Sequence, residues 1–456
     1  MVDDSNHPSR RRIIKYGGYA GVSSILGLAG CSGDDTGDGS GGEDGGDGNS
    51  GGDGGDGGNE TTTGEGGSEE LTLIHHWSRG ADGEAMAQFL SGFEDGSGIS
   101  VSEETPSGQG GANVRTIVRQ RLLNENAPGS WQGLGGLDQI EFATALKDIE
   151  SDVWEPEGAK EAYYEGAQEA AQLDGEYKQV PTNLHRINSL YYNTNILDEA
   201  GVDPDSISTI DDLTAAFDQI ASETDATPFA KSISEPWTML ATWESLFLSI
   251  AGLEKFRQFT DGDVASVESE VRETFELIQQ YSEHFPNDAN SIAWPEAAAR
   301  VGNGDAAFYH NGDFAVGVLL GIDGFEFGDD WNWMTVPGTE DYFLNVMDTF
   351  VYPKNTPTPE ATQAYCRWCA SVEGQEILNS IKGSIPPRSD VPQDEFSGYQ
   401  VEQMESIADT EAQPLTITFT HAVNPDVSSS LKEAMGTFTS NQNVDEAYTG
   451  FRDAFE

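Results

Sequence analysis

Apolar positions along this chain follow two rhythms, and their alternation sets the first expectation. Leu71-Thr72-Leu73-Ile74 is a short apolar run that predicts a strand. Ala85, Met86, Phe89, Leu90 and Phe93 then recur every three or four residues, which predicts a helix over Gly83 to Phe93. Ile99-Ser100-Val101 reads as a second strand. A Gly-rich loop follows (Ser107 to Ala112), then a helix through Val114, Ile117, Val118 and Leu122. This β-α-β-α order implies a parallel, wound sheet. Farther on, Glu176 to Pro181 ends in a strand and Ser189-Leu190-Tyr191-Tyr192-Asn193 forms another. Ile210-Asp211-Asp212-Leu213 opens a helix with its carboxylates where the helix dipole favours them. Ala306 to Gly312 and Asn345 to Tyr352 are strand-like runs ending near polar residues. No internal repeat appears, and the pattern predicts an α/β protein with two lobes.

The first seventy residues do not share that pattern. Arg10-Arg11-Arg12 precedes an apolar run rich in glycine and serine that stops at Leu28-Ala29-Gly30-Cys31. A basic start, a short apolar stretch and small residues at a cleavage site make a secretory signal, and the paired arginines fit twin-arginine export. The run is too short and weakly apolar to span a bilayer of about 30 Å. Leu-Ala-Gly-Cys resembles the lipobox of prokaryotic lipoproteins, so residues 1–31 are expected to be a signal with lipid attachment at Cys31. Residues 32–70 are nearly all Gly, Asp, Glu, Ser, Thr and Asn. Such a segment lacks the apolar surface to offset ordering entropy and should form a disordered acidic tether. The protein is expected at the extracellular face of the cytoplasmic membrane.

Charge narrows the function classes further. The 456 residues carry 79 Asp and Glu against 23 Lys and Arg, a formal net charge of −56. Acidic residues continue through the globular region. No basic stripe exists to neutralise phosphates, which excludes nucleic-acid binding. The balance fits adaptation to concentrated salt, where screening over a few Å removes self-repulsion, as in a halophilic archaeon. Only three cysteines occur, so this is no disulfide-stapled fold. Cys366 and Cys369 are spaced like a redox pair but lack the strand-to-helix context of one. They make at most half of a zinc site and are read as small packing residues. Ser107 to Ala112 lacks the Gly-Lys-Ser/Thr of a phosphate loop. His75 and His76, neighbours on a strand, point to opposite faces, so no metal and no cofactor is expected.

Four separated motifs then carry a resemblance. Val180 to Asn193 resembles the hinge-and-strand segment of extracellular solute-binding proteins of sugar ABC importers, and Asn195 to Val202 matches their following helix ending in Ala-Gly. Ala306 to Phe314 is similar to the family's strand into Gly-Asp-Trp-Ala, with Phe314 in place of Trp. Gly383-Ser384-Ile385-Pro386-Pro387-Arg388-Ser389-Asp390 is similar to its Gly-Ser-Ile-Pro-Ala-Arg-x-Asp signature. The His-Trp start, Asn-x-His-Arg and Asn-x-x-Asp-x-Phe resemble the glucose/mannose-binding branch. The resemblance implies a two-lobed, periplasmic-binding-protein-like fold (type II) with a multi-crossing hinge. It places an N-terminal lobe at residues 71–181 plus about 349–390, and a C-terminal lobe at 182–348 plus about 391–456. Crossings are expected near Val180-Pro181, near Asp348 and past Arg388. The implied function is a binding protein, not an enzyme and a monomer, that traps a monosaccharide or short oligosaccharide between closing lobes and delivers it to ABC permease subunits.

A sugar stacks its C–H faces on aromatic rings and pairs its hydroxyls with planar polar side chains. Trp77, at the end of the first strand, is a stacking candidate or a core residue. Glu84 is a hydroxyl acceptor or a helix-dipole carboxylate. Gln132 sits where the family carries Pro-Pro-Asp-x-x-Gln, although Ser130 and Trp131 depart from that pattern. His185 falls in the most specific motif, just past the first crossing. Trp237 matches a family stacking position, whereas Trp243 reads as packing. Asp313 resembles the family's ligand aspartate, and Asp348 and Lys354 are expected to converge on adjacent hydroxyls. Arg388 has bidentate geometry for a hydroxyl pair or fixes the hinge loop. A secreted glycosidase is the alternative. It needs two carboxylates about 5–9.5 Å apart around the scissile bond, and no such pair is recognisable.

Overall fold

The computed structural model describes residues 70–106 and 111–456. The leader, Cys31, residues 32–69 of the acidic tether and residues 107–110 of the Gly-rich loop lie outside the described residues. Thirteen strands occur among those described: β1 (Leu71–Ile74), β2 (Val101–Glu104), β3 (Ser130–Leu134), β4 (Gln172–Leu173), β5 (Glu176–Tyr177), β6 (Gln179–Pro181), β7 (His185–Arg186), β8 (Ser189–Asn193), β9 (Thr227–Ala230), β10 (Ala306–His310), β11 (Trp331–Thr335), β12 (Asn345–Val346) and β13 (Asp348–Val351). They build two principal sheets, β2-β1-β3-β13-β6 and β11-β8-β10-β9, with a two-stranded bridge of β7 and β12.

In the first sheet β1 pairs in parallel with β2 and β3, as the β-α-β-α order predicts. β13 runs antiparallel to β3 and β6 because it enters from the other lobe. The second sheet is also mixed: β9 and β10 are parallel, while β8 opposes both β10 and β11.

Helices cover both sheets with the apolar stripes that the sequence marks. Gly80–Ser97 buries Ala85, Met86, Phe89, Leu90 and Phe93 against the first sheet and extends past that repeat at both ends. Ile210–Glu223 starts on a reciprocal cap: Thr209 Oγ1 accepts from Asp212 N at 3.1 Å and Asp212 accepts from Thr209 N at 3.0 Å. It turns Leu213, Ala216, Phe217 and Ile220 inward. The second lobe's core is aromatic. Trp243 stacks on Phe247 at 4.7 Å and meets Phe451 edge-on at 4.7 Å, pairs worth about 0.5–1.5 kcal/mol each beyond their area. Cys366 lies in helix Pro359–Ala370, which stops at Ser371, the N-cap of Val372–Lys382. Both Cys366 and Cys369 are fully buried free thiols in the first lobe's core. Among the described residues no helix is long and apolar enough to cross a membrane.

The chain passes between lobes three times, and the passages are tied to one another. After β6, Thr182 N donates to Asp348 O at 2.9 Å, Leu184 N to Ile385 O at 2.7 Å and Ile187 N to Leu344 O at 2.8 Å. The apparent single strand from Asn345 to Tyr352 is broken at Met347. β12 pairs with β7, and β13 joins the first sheet. The third passage runs from helix Gly398–Asp409 through residues 412–417, where Thr416 N donates to Asn345 O at 3.1 Å.

Buried polar groups fasten these passages. The Arg186 guanidinium lies between the rings of Trp333 and Phe343 and donates to Ser406 Oγ and Tyr342 O. Burial pushes it down to about 10. His421 Nδ1 donates to Phe419 O at 2.8 Å, and its Nε2 accepts from Met347 N at 3.0 Å and Gly135 N at 3.2 Å. One ring thereby joins β3, the β12–β13 break and the third passage, and burial lowers its pKa to about 4. Glu244, fully buried on helix Pro236–Thr260, accepts from Thr416 Oγ1 at 2.7 Å, Ile417 N at 2.7 Å and Thr418 N at 3.2 Å.

Candidate functional site

Wound sheets collect functional groups beyond the carboxyl ends of their strands, and both lobes place polar groups there. In the first lobe β1 stops at Ile74 while β3 runs on, so Gln132 stands beside the chain leaving β1. Its Oε1 accepts from His76 N at 3.0 Å and its Nε2 donates to Asp348 Oδ1 at 2.9 Å. Asn183 completes the group: Nδ2 donates to Asp348 Oδ2 at 2.9 Å and Oδ1 accepts from Asp348 N at 2.6 Å. Asp348 is therefore held by two planar amides at the start of β13. It is 8% exposed, Gln132 2% and Asn183 fully buried. A carboxylate locked in this way accepts hydroxyl hydrogens without reorganising.

The second lobe supplies a different surface two residues along the chain. His185 Nδ1 pairs with Asp313 Oδ1 at 2.5 Å, and Arg186 N donates to Asp313 Oδ2 at 3.1 Å. Asp313 follows the carboxyl end of β10, so the pair joins that sheet to the crossing strand. Asn183 and His185 are separated only by Leu184, so the Asp348 group and the Asp313 group lie close along the chain. Against His185 lies an aromatic group centred on Phe314. Its ring is 5.8 Å from His185, 6.2 Å from Trp237, 5.8 Å from Trp294 and 6.0 Å from Phe419, all tilted or edge-on. Trp237, Trp294, Phe314 and Phe419 are each half-buried. Half-buried rings beside a fixed His–Asp pair form a wall of the kind a pyranose uses: apolar for C–H groups, polar at its edge.

Gln132, His185, Trp237, Asp313 and Asp348 thus fall into two groups joined by three residues of hinge. The other expected residues lie elsewhere. Trp77 is 3% exposed, edge-on to Phe350 at 6.1 Å, with Lys382 Nζ 4.7 Å above its ring. It is part of the first lobe's core, and the ammonium occupies a ring face that a sugar would need. Glu84 is exposed on Gly80–Ser97, and Asp82 instead makes the local ion pair, with Lys382 at 2.6 Å. Lys354 does not converge with Asp348. It lies in a turn past the end of β13 and is exposed, donating to Thr144 O at 2.9 Å. Arg388 sits behind helix Pro359–Ala370, with Nε and Nη2 on Asp390 at 2.6 and 2.7 Å and Nη1 on Ala370 O.

Several site residues carried no distinctive sequence signal. Asn183 lay inside the hinge motif but looked like any loop asparagine. Trp294 opens a helix, and Phe419 lies in a Thr-rich run with neither rhythm. Their place at the site follows only from tertiary packing. Among the described residues no group of three or more His, Cys, Asp or Glu is placed to hold a metal ion.

The chain resembles known proteins along most of its length. A family described as "Bacterial extracellular solute-binding protein" matches residues 96–404. The chain is 32% identical over 370 residues to the xylose/arabinose-binding protein XacG of Haloferax volcanii, covering 80% of each chain. It is 23% identical over 332 residues to the glucose-binding protein GlcS of Saccharolobus solfataricus, covering 67% of this chain and 58% of that one. Among solved structures it superposes on the bacterial solute receptor AcbH, which prefers β-D-galactopyranose, with a TM-score of 0.73 at 17% identity, covering 85% of this chain and 98% of that one.

Proposed function

The chain belongs to the bacterial extracellular solute-binding protein family, and we propose that it is the sugar receptor of an ABC importer. It captures one aldose between its lobes and presents the closed form to a membrane permease. The observation that carries this reading is the pairing of unlike walls: the amide-locked Asp348 on one lobe, the His185–Asp313 pair with its aromatic group on the other. A ligand touching both gains affinity only in the closed form, which is how binding drives closure. Glucose and mannose are the leading ligands, on the resemblance of the His-Trp start and the Asn-x-His-Arg motif to that branch. The pentose-binding relative brings xylose and arabinose into the same class.

Export by the twin-arginine route, lipid attachment at Cys31 and life in concentrated salt belong to the same reading. An anchor and a tether keep a mobile receptor near its permease. The experiment is a thermal-stability scan in molar salt with D-glucose, D-mannose, D-xylose and L-arabinose. A sugar at a hundred times its Kd stabilises the folded state by about 2.7 kcal/mol. A transition temperature unmoved by all four refutes the reading. Hydrolysis of a disaccharide by the purified protein would favour a glycosidase instead.

A further inference from the structure

His76 has no part in the site as drawn so far, yet it stands at its edge. It follows β1, its backbone N–H is bonded to Gln132, and Gln132 is bonded in turn to Asp348. The two adjacent histidines both lie past the end of β1 and differ in burial. His75 is fully buried and pairs through Nε2 with Glu103 at 2.9 Å. His76 is half-buried, its ring 6.2 Å from Trp77. Its Nδ1 is buried and has no hydrogen-bond partner among the described residues. Gly111 flanks that nitrogen, and a Cβ there would stand 3.7 Å from it.

A desolvated ring nitrogen without a protein partner is uncommon in folded proteins and calls for a water or a ligand to supply the bond. The imidazole is held neutral, chiefly by burial. The charged groups facing it are Asp348 on β13 and Asp82 on Gly80–Ser97, which favour its proton, and Lys382 on Val372–Lys382, which opposes it; the His75 ring lies next to it. The Nδ1 of a neutral imidazole either accepts from or donates to one hydroxyl, according to the tautomer, and so distinguishes a hydroxyl from a hydrogen at one ring position.

We infer that His76 is a ligand-contacting residue that reads one hydroxyl of the bound sugar beside Asp348. This rests on the sugar-receptor reading, and the test separates the two. D-glucose, D-mannose, D-xylose, L-arabinose and the monodeoxy analogues of D-glucose are titrated calorimetrically into the full chain in molar salt. The proteins are wild type, His76→Ala and His76→Gln, near neutral pH and again near pH 5.5. The wild type should reject one deoxy analogue, and His76→Ala should bind its sugar about tenfold more weakly, the equivalent of about 1.4 kcal/mol, while losing that discrimination. His76→Gln, which keeps a donor and an acceptor, should recover part of the affinity, and it alone carries the comparison if the alanine variant does not fold. Because burial lowers the ring's pKa, wild-type affinity should fall only where acidification is strong enough to protonate it, and that of His76→Gln should not follow it. If no sugar binds the wild type, the receptor reading falls and this inference with it. If sugars bind and both variants match the wild type within twofold at both pH values, only the inference about His76 falls.

Discussion

Replacing Glu244 by glutamine should stabilise the protein near neutral pH and change little near pH 5. Glu244 is fully buried, and desolvation raises its pKa from an ordinary glutamate's 4.5 to about 7, despite the opposing hydrogen bonds from Thr416, Ile417 and Thr418. The folded chain therefore holds this proton more tightly than the unfolded chain. Its favourable contribution is complete below about 4.5 and is lost as pH rises to about 7. At about 1.36 kcal/mol per pH unit, that gap is worth about 3 kcal/mol. Glutamine has no proton to lose. Its Oε1 can accept from Ile417 N and Thr418 N, and its Nε2 can donate to Thr416 Oγ1, so the contacts with the third passage survive. Lys432 offsets part of the gain, because the Glu244 charge favours its ammonium, which burial has pushed down to about 8. The net expectation is about 1–3 kcal/mol. The assay is denaturant unfolding of both proteins in molar salt near pH 5 and near pH 7.5. The difference between proteins is the quantity to read, since His310 and His421, whose pKa values burial lowers, titrate equally in each. A variant no more stable than wild type near neutral pH, or a difference independent of pH, refutes the reasoning.

Three further outcomes follow from the same structure. Asp348→Asn sets an amide N–H₂ against the donors of Gln132 or Asn183; it should abolish the sugar-induced thermal shift and cost about 1–3 kcal/mol of ligand-free stability, by unfolding titration. Gly136→Ala places a Cβ 2.3 Å from His421 O at a φ of +65°, and should destabilise by at least about 2 kcal/mol in the same measurement. Cys366 and Cys369 should resist a thiol reagent in native protein and react on unfolding, because burial pushes both thiols up, Cys366 to about 12; prompt native labelling would contradict their place in the core.

Local elements were legible in the sequence where one rhythm held over a whole segment. The buried face of Gly80–Ser97, the capped start of Ile210–Glu223 and the strand Ser189–Asn193 are local features of composition and spacing. Asn345 to Tyr352 looked like one strand because both halves are apolar. The break at Met347 depends on two partners, β7 and β3, brought from distant parts of the chain. The same limit governs the site. Asp348, Asp313, His185 and Gln132 stood out as polar residues at strand ends or in a recognisable motif. Lys354 did too, but it lies in a turn past the end of β13, away from Asp348. Asn183, Phe419 and the half of His76 that faces the site become visible only once the lobes are assembled. Trp77 shows the reverse: a strand-end tryptophan that the fold uses as core, under Lys382.

The triple passage has a practical consequence. β1 opens the first lobe, and helix Val444–Asp453, close to the last residue, packs in the core of the second. The start of β1 and Glu456 therefore ride on separate bodies. The first link is pinned to the second by Thr182 N and Ile187 N, and the second to the third by His421 and Thr416 N. Connections fastened in this way cannot flex independently, so rotation of one lobe on the other approaches a single coordinate. A donor dye just ahead of Leu71 and an acceptor after Glu456 would convert that coordinate into an optical signal with no label near the ligand.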